Sequence, residues 1–151
     1  MRRARLDDAL RIRNLHVRSI RILCRHEYTL RQITAWSGKR TAASFRRAMT
    51  AGGEMMFVAE ASGRLAGFSS LHGDGIYALY VHPRYARHGV GTRLLAVAER
   101  RAARRGVTRV WLDATLTALP FYRARGYRRI RRHAVVRHGV PIPVVRMTKM
   151  L

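Results

Sequence analysis

The residues best placed to do chemistry are two glycines in a basic loop, and a phenol about thirty residues beyond them. The loop Arg87-His88-Gly89-Val90-Gly91-Thr92 follows the apolar run Ile76–Val81 and the pair His82-Pro83, and it leads into a long helical pattern. A strand that turns through such a loop into a helix aims free backbone N–H groups and a positive helix end at one point, which suits a bound pyrophosphate. Gly89 and Gly91 carry no Cβ and let the backbone approach a ligand closely. Arg84, Arg87 and Arg93 add positive charge around them. The loop is not a Walker A motif, because no Gly-Lys-Ser/Thr follows, and Leu94 stands where a dinucleotide-binding fingerprint needs its third glycine. Glycines at a strand-to-helix turn are also often purely structural. The second chemical feature is Phe121-Tyr122, in a short helical segment before Gly126-Tyr127.

Several elements must position these groups. Arg2 to Arg5 read as a short edge strand, followed by an amphipathic helix capped by Asp7, with Leu10, Ile12, Leu15, Val17 and Ile20 inward. Thr29 and Gln32 form a capping-box signature that opens a second helix through Ile33 and Trp36. A third helical turn runs from about Ser44 to Met49. Met55–Ala61 and Leu65–Leu71 read as a hairpin turning at Ser62-Gly63, and Ile76–Val81 as the next strand. A helix is expected from about Gly91 to Arg105, stopped by Gly106. Then come a strand at Val107–Leu112, a short helix at Ala118–Arg125, and strands near Arg128–Val136 and Val144–Met147 around a Gly139-Val140-Pro141 turn. The pattern predicts a mixed α/β fold (α+β) with a mostly antiparallel sheet of about six to seven strands and about four helices, in a single domain over residues 1–151.

Composition narrows the function classes. At 151 residues and 48% hydrophobic content the chain holds enough apolar material for one core. No segment approaches the roughly 20 apolar residues of a membrane span, and no secretory signal is read at the N-terminus. Cys24 is the one cysteine, so no internal disulfide forms and a cytoplasmic location is expected; its bland reading is a small buried hydrophobe. Thirty-one Lys plus Arg face eight acids, a formal charge of +23, and only Lys39 and Lys149 are lysine. Such a field draws anions and repels cationic substrates. Six arginines lie between Arg123 and Arg132, read here as a solvated face in preference to a phosphate-tracking patch for RNA or DNA.

The order strand, Val-His-Pro, basic Gly-x-Gly, helix, strand, then Thr115-Leu116-Thr117-Ala118-Leu119-Pro120-Phe121-Tyr122 and Gly126-Tyr127 resembles the GNAT superfamily of acetyl-CoA-dependent N-acetyltransferases. The resemblance runs over nearly the whole chain, including Met147-Thr148-Lys149. It implies that Leu79, Tyr80 and Val81 offer main-chain groups to the pantetheine arm of acetyl-CoA, with Thr115 at the position of a frequent Asn. It implies too that Arg87, His88, Gly89, Val90, Gly91 and Thr92 hold the pyrophosphate, and that Tyr122 protonates the leaving thiolate. No metal is implied. Ala86 departs from the usual Gln or Arg that opens the loop, and Tyr77 stands where many members carry a catalytic Glu. The candidates for a base are then Asp74, Glu27, His82, His26 or a water chain, with none assigned.

The expected reaction is direct attack of a primary amine on the thioester in a ternary complex. Polycationic acceptors are disfavoured by the charge; a small anionic amine, a peptide or protein amine, or an aminoacyl group on RNA fits better. The alternative is a basic nucleic-acid-associated protein, acting on an RNA-linked aminoacyl group or binding RNA or DNA without catalysis. Non-specific nucleic acid and a second copy in a homodimer are left open as partners, and a membrane is not expected.

Overall fold

The computed structural model describes residues 1–38 and 40–151. In chain order the elements are β1 (Arg2–Arg3), α1 (Ala9–Leu23), α2 (Leu30–Ser37), α3 (Ala42–Met49), β2 (Met55–Ala61), β3 (Arg64–His72), β4 (Gly75–Val81), α4 (Val90–Ala103), β5 (Arg109–Thr115), α5 (Leu119–Arg123), β6 (Arg128–Arg137) and β7 (Val140–Met150). The strands form one seven-stranded sheet in the order β1-β2-β3-β4-β5-β7-β6. Every neighbouring pair is antiparallel except β4 and β5.

Alternation along the strands sends side chains to two cores. On one face Ile12 and Leu15 of α1 and Phe45 of α3 pack on Met56, Val58 and Phe68. On the other, Leu95 and Ala98 of α4 pack on Leu71, Val110 and Leu112. Gly67 permits the close seating of α4: a Cβ there would lie 2.8 Å from Leu94 Cδ1, 2.9 Å from the Tyr80 carbonyl oxygen and 3.1 Å from Val90 Cγ1.

Local signals and structure agree at several points. Thr29 and Gln32 form the reciprocal capping box of α2. The β2–β3 hairpin turns at Ser62 and Gly63, both at positive φ (50° and 74°), as a two-residue turn of primed type requires. Asp7 does not cap α1. A 3-10 turn at Leu6–Asp8 precedes the helix, leaving Asp7 exposed, while the Asp8 carboxylate takes the Arg5 amide (2.8 Å) and the Arg2 guanidinium (2.7 and 2.9 Å). Leu10 points to solvent; His16 and Ser19 are buried on the inward stripe instead. The last turn is His138-Gly139, one residue earlier than expected, so β7 includes Pro141 and Pro143. Both prolines pair with β6 beyond the end of β5, where no ladder N–H is needed on the open side. Their carbonyls accept side-chain hydrogen bonds from Gln32 (3.2 Å) and Tyr28 (2.6 Å).

Candidate active site

The site grows from one break in the sheet. Strands β4 and β5 meet at a single pair, Gly75 with Trp111, and their ladder goes no further. Parallel strands lose backbone pairing where they diverge, and the space between them opens a cleft lined by main chain. Tyr77 marks the start of the divergence: Ser70 pairs with Ala78 and Leu71 with Ile76, so Tyr77 is the extra residue of a β-bulge. Its ring is 54% exposed and meets Trp111 edge-on at 5.3 Å. Beyond the bulge, Leu79 and Val81 pack toward α4 and Tyr80 toward α1 and α2.

A pocket of about 360 Å³ fills the divergence. Leu79, Tyr80, Val81, Arg87, Gly91, Thr115 and Tyr122 of the expected set line it. His88, Gly89, Val90 and Thr92 do not line it but belong to the loop at its end. Gly89 is the N-cap of α4 at φ 78°, a left-handed conformation natural to glycine. The first bond of the helix runs from Arg93 N–H to Gly89 O (3.1 Å), so the amides of Val90, Gly91 and Thr92 stand ahead of the intrahelical ladder. Val90 anchors the turn by burying its side chain with Ala59, Ala66 and Leu94. The His88 ring reaches back to the Ala86 carbonyl (2.7 Å). At Gly91 a Cβ would meet the Phe121 ring at only 3.4 Å, an ordinary contact, so protein packing does not itself demand glycine there. Free amides, a positive helix end and Arg87 together give this loop the chemistry that suits an anion.

Tyr122 is buried on α5, edge-on to Phe121 (5.1 Å) and Tyr127 (5.5 Å). Burial, and then the neighbouring Tyr80 hydroxyl, holds its phenol well above the ordinary tyrosine range. The proton therefore stays on Tyr122 at any working pH. Thr115 spends its hydroxyl on capping the turn that follows β5, accepting from Ala118 N–H at 3.1 Å.

Three groups outside the expected set matter. Arg125 stacks on Phe121 (3.8 Å), donates to Phe121 O (2.8 Å) and holds the Thr92 hydroxyl through Nε (3.1 Å), which puts a guanidinium beside the α4 amides. The i,i+4 spacing of Phe121 and Arg125 was the sequence signal for it. Asp113 lines the cleft on β5, but Arg146 (2.6 and 2.8 Å) and His133 (2.8 Å) both engage it. Burial alone would raise its pKa; those two partners outweigh it and hold the carboxyl below its usual range. Ser19, Leu23 and Cys24 at the end of α1 complete the wall. Nothing in their sequence marked them. The Cys24 thiol is pushed up to about 11 by burial and so stays protonated.

The candidates for a base separate clearly. Asp74 accepts the Trp111 indole N–H (2.9 Å) outside the cleft. His82 caps a turn through Nδ1, which accepts Arg84 N–H at 3.1 Å, and burial with nearby arginines lowers its pKa. His26 is exposed beside Arg25. Glu27 alone among the four reaches a cleft residue, accepting the Thr117 hydroxyl at 3.0 Å. Tyr28 braces the same corner, its hydroxyl donating to Pro143 O and accepting Leu116 N–H (2.9 Å).

Residues 24–151 match the family model of the acetyltransferase (GNAT) domain. The chain is similar to a GCN5-related N-acetyltransferase from Rhodopseudomonas palustris, at 34% identity and a TM-score of 0.94, over 99% of this chain and 94% of that one. At 17% identity the fold is shared with PaiA N-acetyltransferase from Thermoplasma acidophilum, solved with coenzyme A (TM-score 0.80, 99% and 97% covered). It is shared equally with YncA from Salmonella typhimurium, solved with acetyl-CoA (17% identity, TM-score 0.74, 99% and 92% covered). On the family match, which spans most of the chain, this protein belongs to the GNAT acetyltransferases.

Proposed function

We propose that this acetyltransferase moves the acetyl group of acetyl-CoA to a primary amine by direct attack within a ternary complex. The observation that carries the reading is the single-pair contact of β4 and β5, which leaves a cleft ending at the free amides of α4. In this reading Leu79, Tyr80 and Val81 present main-chain groups to the pantetheine arm, and Arg87 to Thr92 take the pyrophosphate with Arg125 beside them. Tyr122 donates its proton to the departing thiolate; a phenol of pKa ~10 or above gives a proton to a thiolate whose thiol has pKa ~8.5 only where positioning assists it. Asp113 lines the cleft but is engaged by Arg146 and His133, so Glu27, through the Thr117 hydroxyl and water, is the acid assigned to receive the ammonium proton. Orientation of the amine against the thioester supplies the rest.

Cys24 lines the cleft, so a covalent acetyl-enzyme has to be weighed, and its burial in neutral form argues against it. Calorimetry with acetyl-CoA, followed by thiol release over an amine library of amino acids, peptides and aminoacyl-RNA, tests the proposal. Micromolar-range binding with thiol release that depends on added amine is expected, and Cys24→Ala retains turnover within about threefold. Absence of binding heat, or loss of turnover in Cys24→Ala with a normal fold, overturns it.

A further inference from the structure

A second cavity, of about 280 Å³, lies on the α1 side of β4 and is lined by His16, Trp36, Arg40, Tyr77, Tyr80 and Arg137 among others. Tyr77 and Tyr80 also line the acyl cleft, so the two compartments meet across the bulge of β4. A molecule seated in the second one abuts the acyl cleft at Tyr77 and Tyr80.

The charge of this cavity is one-sided. Arg40 and Arg137 both line it, and no Asp or Glu does among the described residues. Neither guanidinium makes an ion pair with a described residue. Arg40 is partly buried, stacked 3.9 Å over the Phe45 ring, with Glu54 near enough to favour its charge but not paired with it. Arg137 is exposed at the cavity's rim, so the cost of desolvation falls on Arg40. Guanidiniums in a partly desolvated setting ordinarily find a carboxylate, because burial of an unpaired charge is costly. Elsewhere in this protein they do: Arg2 takes Asp8 and Glu60, and Arg146 takes Asp113. His16 adds a second unmet need. It is 2% exposed, and its Nδ1 has no hydrogen-bond partner among the described residues. The remaining walls, Trp36, Tyr77 and Tyr80, are aromatic and suit a small organic body.

We infer that this cavity is the acceptor compartment and that it is built for a small primary amine bearing a carboxylate, with Arg40 and Arg137 as the counter-cations. The inference rests on the transferase reading above. The carboxylate completes the pairing that the chain leaves open, and the amine end crosses the Tyr77–Tyr80 boundary toward the thioester. Transfer breaks the thioester C–S bond and forms the amide C–N bond; the amine gives up a proton and the coenzyme leaves as its thiol. A free acid fits this site where an esterified amino acid does not, so an aminoacyl group on RNA is disfavoured.

Matched acceptor pairs test this. Thiol release is measured over a set of α-amino acids, each beside its amide and its methyl ester, at fixed saturating acetyl-CoA. The acids are expected to show kcat/KM at least tenfold above their amides and esters. In Arg137→Gln and Arg40→Gln that ratio is expected to fall toward one through KM, with acetyl-CoA affinity and thermal midpoint recording whether the fold and donor site persist. Amides or esters used as well as the acids by the unmodified enzyme overturn the inference, as does a protein that binds acetyl-CoA yet turns over only peptides or aminoacyl-RNA. A preference for acids that survives both substitutions in folded protein also overturns it. Failure to bind acetyl-CoA overturns the transferase reading and this inference together, whereas normal binding without acid preference removes this inference alone.

Discussion

Tyr122 shows how one side chain is both core and candidate reagent. Its ring packs in the cluster under α4, while burial and Tyr80, with no hydrogen bond to its hydroxyl among the described residues, set its acidity. Tyr122→Phe keeps the ring and removes only the hydroxyl, so stability should change by less than about 1 kcal/mol. If the hydroxyl protonates the thiolate, kcat falls about 100-fold while acetyl-CoA KM moves little. Thiol-release kinetics check this, and unchanged kcat removes Tyr122 from the acid role. His16 makes a prediction about stability. Burial first, then Arg40, Arg137 and Arg13, lowers its pKa to about 3 from an ordinary 6.5. Below pH 6.5 the unfolded chain binds a proton at this position that the folded chain refuses, so stability is full above 6.5 and is lost as pH falls toward 3. The slope is roughly 1.4 kcal/mol per pH unit across that window. His16→Leu should flatten it, read as the difference in urea midpoint between pH 7 and pH 5. An equal difference in both proteins would show that other groups carry the acid sensitivity.

At the scale of elements, the reactive loop depends on how closely α4 sits on β3. Gly67→Ala places a methyl 2.9 Å from the Tyr80 carbonyl, a backbone atom that cannot swing aside, and 2.8 Å from Leu94. Overpacking of this kind costs about 1–3 kcal/mol. Relief must come from shifting either β4 at Tyr80 or the first turn of α4, and both border the cleft. The variant is therefore expected to lower the thermal midpoint and to weaken acetyl-CoA binding several-fold in calorimetry; unchanged affinity in a destabilised protein would separate the loop from its packing. How much of this was legible in sequence follows the range of each interaction. The Ser62-Gly63 turn, the Thr29–Gln32 box and the Gly89 cap are local, and residue type alone announces them. The Tyr77 bulge, the parting of β4 from β5 and the insertion of β7 between β5 and β6 are set by pairing between distant segments. Periodicity within one segment carries no sign of those. Arg125 fell between the two cases: its spacing from Phe121 was visible, its contact with Thr92 across 33 residues was not. The end of α1 enters the cleft only because the helix crosses the opened strands, so Ser19, Leu23 and Cys24 had no local marker.

For the molecule as a whole, the distribution of the eight acids decides what the +23 charge can do. Asp8, Glu60, Glu99 and Asp113 lie in ion pairs, and Glu27, Glu54 and Asp74 accept from Thr117, Ser70 and Trp111. Nearly every acid is thus committed locally, and the surplus is arginine, of which Arg128, Arg129, Arg131, Arg132 and Arg137 lie exposed on β6. An anionic coenzyme approaching such a surface is attracted over a Debye length of about 10 Å at 0.1 M salt, and less at higher salt. Association should consequently fall about tenfold or more between 50 mM and 500 mM salt, measured by stopped-flow with acetyl-CoA, whereas kcat at saturation should change little because the chemistry lies inside the cleft. Nucleic acid would feel the same field, so a gel shift that vanishes at moderate salt without sequence preference is the expected outcome for RNA. The two measurements together discriminate the uses of the charge. Salt-sensitive coenzyme association with salt-labile RNA binding assigns it to donor and acceptor capture; salt-resistant, sequence-selective RNA binding with flat coenzyme kinetics would instead make the arginine face a nucleic-acid surface.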